Sequence, residues 1–152
     1  MKRIRQAIIV GLSLAAVPAC TVTPTSPEPV AGPRETLARA EQRWAASRIA
    51  QYEYSISVGC FCPFPRPVRF EVRNGDSSAP GLDDRTRAWM ARFESVDALF
   101  AMLHEHAQRN PARFEIEYHP TLGYPAKGYL DGSFNVADDE LSFEIVEFTV
   151  LQ

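Results

Sequence analysis

Two of the three cysteines in this 152-residue chain stand at Cys60-Phe61-Cys62, and their spacing carries its sharpest chemistry. Thiolates so placed could bind Cu(I), exchange disulfides or close on each other. In a regular strand, residues i and i+2 lie about 6.6 Å apart, near the upper reach of a disulfide. A bridge therefore needs a local bend. Pro63, Pro65 and Pro67 follow at once and supply one, because proline ends ladder pairing. Three readings stay open: a disulfide between Cys60 and Cys62 that holds the bend, buried thiols, or a copper or redox centre. No Met or His adjoins the pair, and Arg66 is the one cation close in sequence that could activate a thiol. The loop such a bridge closes is very small, so its entropic stabilisation is small too.

Other clusters are weaker. His104 and His106 are two residues apart on a predicted helix and point about 200° apart, so they cannot share a metal as an i, i+4 pair does. His119 precedes Pro120 and reads as a turn residue. Asp131-Gly132-Ser133-Phe134-Asn135, followed by Asp138-Asp139-Glu140, faintly resembles a calcium loop. It lacks the glycine and glutamate that an EF-hand needs, and reads as a hairpin loop turning at Asp131-Gly132. Glu115, Glu117, Glu144 and Glu147 alternate on predicted strands, as on a solvated face. No nucleophile elbow, His-Glu-x-x-His helix or phosphate loop occurs. The sequence thus assigns no catalytic residue, no metal ligand and no cofactor.

The remaining cysteine is of another kind. Lys2, Arg3 and Arg5 precede an apolar run from Ala7 to Val17, the charged and hydrophobic regions of a secretory signal. The run is shorter than the roughly 20 residues needed to span a bilayer. Val17-Pro18-Ala19-Cys20 is similar to a bacterial lipobox, in which the cysteine is lipidated and becomes N-terminal. Residues 1–19 are therefore expected to be a lipoprotein signal and Cys20 the lipidation site. Two or more acyl chains hold a protein stably on a membrane, whereas one does so marginally. Thr21 rather than Asp after the cysteine implies the outer membrane, facing the periplasm, if the cell is Gram-negative. Removing residues 1–19 takes away three of 16 cations against 19 acids, so the net charge moves from −3 to −6. An acidic chain without a basic cluster argues against a nucleic-acid partner.

Residues 20–34 carry Pro24, Pro27, Pro29 and Pro33 among Thr, Ser and Gly, and read as a tether. Residues 35–152 are long enough for one domain with its own core. Leu37, Ala40, Trp44 and Ser47 recur at helical spacing over residues 35–49. Tyr52, Tyr54, Ile56 and Val58 then alternate with polar residues, as do Val68, Phe70 and Val72, and Asn74-Gly75 marks a hairpin turn. A polar loop with Pro80-Gly81 follows, with room before it for a short third strand. Ser95 caps a second helix whose face is Val96, Leu99, Phe100, Leu103 and Ala107, and Pro111 ends it. Phe114, Ile116 and Tyr118 alternate next, and strands are expected over residues 126–131 and 141–150. The expected fold is α+β: an antiparallel sheet of about five strands on two helices, in the order α-β-β-α-β-β-β. Each half reads as a helix followed by antiparallel strands. One sheet face should be wet and the other covered by helices.

Trp44, Tyr52-x-Tyr54, Cys60-x-Cys62-Pro63, Asn74-Gly75, Ser95 to Phe100, Leu122-Gly123-Tyr124-Pro125 and Ala137-Asp138-Asp139-Glu140 stand in one order. Over Leu37 to Phe148 this order resembles the bacterial family called domain of unknown function 6174. The resemblance implies an exported, often lipidated protein, and it lends no catalytic residues.

Together these features point to a non-catalytic envelope lipoprotein, lipid-anchored and presenting its domain to an envelope protein or small ligand through the wet face or a sheet edge. The alternative is a thiol or metal protein that uses Cys60 and Cys62 for copper or redox work.

Overall fold

The computed structural model describes residues 32–60, 67–136 and 138–152. The expected signal at 1–19, the expected lipidation site Cys20, most of the expected tether and Cys62 lie outside the described residues.

Proline opens the first helix, α1 (Pro33–Ser47), where its missing N–H costs nothing. The helix starts two residues before its expected start at residue 35. Arg34 then fixes α1 in place. Its Nε and Nη2 donate to Ala107 O at 3.1 and 2.9 Å, and Nη2 donates to Asn110 Oδ1 at 3.2 Å. This sets a cation at the negative end of the later helix α3 (Val96–Gln108). α1 buries Leu37, Ala40 and Trp44, the expected face, and Arg48 ends it in the left-handed conformation at φ 53°.

The strands are β1 (Gln51–Gly59), β2 (Val68–Arg73), β3 (Asp76–Ser78), β4 (Arg113–Tyr118), β5 (Pro125–Asp131) and β6 (Leu141–Val150). They form one antiparallel sheet in the order β3-β2-β1-β6-β5-β4. Asn74 and Gly75 take φ of 52° and 92° between β2 and β3, the left-handed pair that a two-residue hairpin requires. The described residues therefore hold six strands where about five were expected, and three helices where two were. The added helix is α2 (Asp84–Met90), which runs into a 3-10 turn at Ala91–Phe93. Asp83 caps it by accepting from the Arg85 and Thr86 amides, and the Thr86 hydroxyl first, then these amides, hold its carboxyl below the usual range.

Ser95 caps α3 as expected, accepting from Ala98 N at 3.0 Å. α3 buries Val96, Leu99, Phe100, Met102, Leu103 and Ala107 against the sheet. Two tyrosines of β1 tie the sheet to the start of α3. Tyr52 Oη accepts from Val96 N at 3.0 Å, and Tyr54 Oη donates to the Phe93 carbonyl. Burial raises both phenols, Tyr52 to about 12.

β6 holds its core-facing residues through a bulge. Ile145 pairs with Ile56 and Glu147 with Ser55, which leaves Val146 as the extra residue. Leu141, Phe143 and Ile145 face the core before it and Phe148 after it. Phe148 joins an aromatic cluster with Trp44, Tyr52, Tyr54 and Tyr124, stacking on Tyr124 at 4.4 Å. The turn after β4 is clamped on α1 at Gly123, at φ 83°. A Cβ there would lie 2.3 Å from Ala40 O and 2.8 Å from Arg43 Cβ.

Candidate functional site: the wet face and the β4 edge

The helices cover one sheet face. The other carries the alternate residues of each strand, and Lys127, at the middle of one row, stands between Glu117 and Glu144, with Ser57 beyond. The neighbouring row is Glu115, Tyr129, Ser142 and Gly59. These residues line a depression of about 300 Å³. Gly59 helps make it. A Cβ at that position would fall 2.1 Å from Ser142 Oγ, and in its absence the hydroxyl lies over the strand and donates to Gly59 O at 3.4 Å. Among the described residues Lys127 closes no ion pair with either glutamate. Three carboxylates and one ammonium leave the depression acidic. Further along the face Arg69 pairs with Glu53, and Arg73 with Glu71, so the unmatched acids gather at the β4 end.

β4 is one of the two outer strands. The other, β3, has three residues, Asp76 to Ser78, too few to take a further strand well. β4 has six. Its core-side residues Phe114, Ile116 and Tyr118 are half-buried. Beside them a second depression of about 310 Å³ opens between β4 and the start of α1, lined by Pro33, Thr36, Phe114, Glu115, Ile116 and Tyr118. A third, of about 380 Å³, continues along Gly32, Arg34, Ala107, Pro111 and Phe114. β4 thus has a hollow on each side. The Tyr118 hydroxyl is buried with no hydrogen-bond partner among the described residues, and its burial raises its pKa.

The residues singled out from sequence distribute as follows. Cys60 follows β1, half-buried against the core, while Cys62 lies outside the described residues. His104 Nε2 contacts Glu41 Oε2 at 2.8 Å, and His106 Nδ1 lies 3.1 Å from Met102 O, so the two serve different partners. His119 is a turn residue. Its Nδ1 accepts from Leu122 N at 3.0 Å and its ring stacks on Tyr124 at 4.8 Å. Glu115, Glu117 and Glu144 meet at the wet depression, while Glu147 lies beyond the bulge and accepts from Ser55 Oγ at 3.4 Å. Among the described residues no three His, Cys, Asp or Glu side chains stand close enough to hold a metal together. Sequence periodicity assigned the glutamates to a wet face. It did not show that β4 lies at the sheet edge or that Gly59 opens space beside Ser142, because both depend on strand order.

No curated protein and no solved structure matches the chain. Residues 36–150 match the model of the family of unknown function DUF6174, which takes in the whole sheet, α2, α3 and all but the first turn of α1, and the chain belongs to that family.

Proposed function

We propose that this protein is a non-catalytic envelope lipoprotein, anchored through Cys20, whose domain binds an extended cationic segment of another envelope protein along β4. The observation that carries this reading is the pair of hollows flanking a six-residue outer strand. A segment added to such an edge gains main-chain hydrogen bonds, and its alternate side chains fall to opposite faces. Here one set would meet Glu115 and Glu117, and the other the apolar lining of Phe114, Ile116 and Tyr118. The charges favour a cationic partner over a second copy of this chain. Two antiparallel copies of β4 centred on Ile116 would set Glu115 opposite Glu117, and like charges directly opposite are destabilising.

The anchor belongs to the same proposal and rests on the sequence of residues 1–20. A bridge between Cys60 and Cys62 is part of the proposal too. In its favour, Cys60 carries a bonded rather than a free sulfur, and Cys62 is the nearest cysteine in sequence.

The test is photocrosslinking in intact cells from a probe at position 115 or 117, with the captured peptide sequenced. A captured segment rich in Lys or Arg, lost in a folded Ile116→Lys variant, is the expected result. Capture that is unchanged by the variant, or of segments without cationic character, overturns it.

A further inference from the structure

The two most exposed large apolar side chains among the described residues share one turn. In the β5–β6 loop Phe134 is 72% exposed and Val136 53%. Hydrogen bonds shape the turn that carries them. Val136 N donates to Ser133 O at 3.0 Å, and Asn135 N donates to Ser133 Oγ at 3.3 Å, which sets Phe134 at a corner of the chain. A single exposed apolar residue is ordinary, but a phenylalanine and a valine on one tip leave a joint apolar surface in water.

The tip lies at the end of the sheet where the chain arrives from Cys20. Asp131, just before the loop, pairs with Arg113 at the start of β4, and Leu141, just after it, pairs with Leu130. α3 ends at Gln108, five residues before β4 begins, and there Arg34 of α1 binds Ala107 O and Asn110 Oδ1. The start of α1, the end of α3 and the β5–β6 loop therefore share one end of the domain. From Cys20 to Gly32 is twelve residues of chain, roughly 40 Å at full extension. An acyl group on Cys20 would thus keep this end of the domain, and the tip with it, close to lipid. The exposed valines of β6 lie elsewhere. Val150 pairs with Tyr52 at the opposite end of the sheet, and Val146 sits in the bulge.

We propose that the β5–β6 loop docks on the bilayer that holds Cys20, with Phe134 and Val136 inserted into the interface of a zwitterionic leaflet. This rests on the anchor proposed above. The charges select the lipid. Asp138 and Glu140 are exposed beside the tip, and residues 128–152 contain no Lys or Arg, so anionic headgroups would repel the loop. Two side chains bind a membrane weakly by themselves. A loop already held near the surface meets it at high effective concentration, so weak insertion suffices. Docking by this end turns the Tyr118 end of β4 away from the lipid.

The test reconstitutes the full-length chain in phosphatidylcholine vesicles, with and without doxyl-labelled phosphatidylcholine, and reads tryptophan fluorescence in Phe134→Trp. Quenching beyond that of the parent, with none added in Val146→Trp, is the expected result. Val136→Trp repeats the measurement should Phe134→Trp misfold. A protein that floats with the vesicles while neither loop variant gains quenching overturns this inference and leaves the anchor standing, as it would if the loop served a protein instead. A chain that carries no acyl group and does not float overturns both. Equal added quenching at positions 134 and 146 overturns the inference too, and so does quenching that appears only when phosphatidylglycerol is added.

Discussion

Trp44 Nε1 donates to Asp97 Oδ1 at 3.2 Å, joining α1 to the first turn of α3 above the aromatic layer of the sheet. The indole also meets Tyr52, Tyr124 and Phe148 edge-on at 5.3 to 6.4 Å. One side chain therefore supports both helices and the central strands. Trp44→Ala should destabilise by about 3–5 kcal/mol in urea unfolding, the cost of emptying a large aromatic site. Trp44→Phe should lose less. A change below about 1 kcal/mol for Trp44→Ala would show that α1 is not held by this contact.

Tyr52 and Tyr54 make stability fall at high pH. Each phenol ionises above its usual value of 10 in the fold, Tyr52 at about 12, because burial penalises the charged form. Below pH 10 both states keep the proton and the contribution is whole. As pH rises the unfolded chain ionises first, so stability is lost from pH 10 through the folded value. Urea midpoints measured between pH 9 and pH 12 should drop, and Tyr52→Phe should make the drop shallower. Equal slopes in parent and variant would rule out Tyr52 as a source.

Gly123 and Gly75 both have positive φ, 83° and 92°, but in different surroundings. A Cβ at Gly75 meets nothing within 4 Å, so Gly75→Ala should cost only the left-handed backbone penalty, about 1–2 kcal/mol. At Gly123 it would strike the Ala40 carbonyl of α1, and Gly123→Ala should cost about 3 kcal/mol or more by adding steric strain to the backbone penalty. Parallel denaturation of the two variants checks the ordering.

The proposed anchor makes a prediction of its own. Cells fed labelled palmitate should label the parent protein, and Cys20→Ser should lose both the label and membrane fractionation, since the proline-rich residues 20–34 offer little other apolar surface. An unlabelled parent with unchanged fractionation of the variant would return the mature chain to a freely diffusing one.

For Cys60 and Cys62, intact mass after alkylation without reductant should show both sulfurs unmodified, and reductant should add two labels. Rapid labelling of both at neutral pH would favour the thiol or metal alternative.

Local pattern was enough to find most of this molecule. The period of two in Tyr52 to Val58 and Phe114 to Tyr118 placed strands and their faces, since alternate side chains must leave opposite sides. Ser95 and Asn74-Gly75 marked a helix start and a hairpin through bonds and φ values that depend on neighbours alone. α2 escaped because a seven-residue helix that buries only Met90 has too short a stripe to read, and β3 was legible only as room for a short third strand because three polar residues show no alternation. Strand order was beyond local pattern altogether. β1 lies beside β6, about ninety residues on, and nothing within either segment names the other. That pairing, with the bulge at Val146, leaves β4 on the outside and gathers its glutamates with Glu144. Sequence by itself determined which residues face water and which face the core. Tertiary structure decided which wet residues became neighbours, because contacts across a sheet depend on partners chosen by the whole chain's packing.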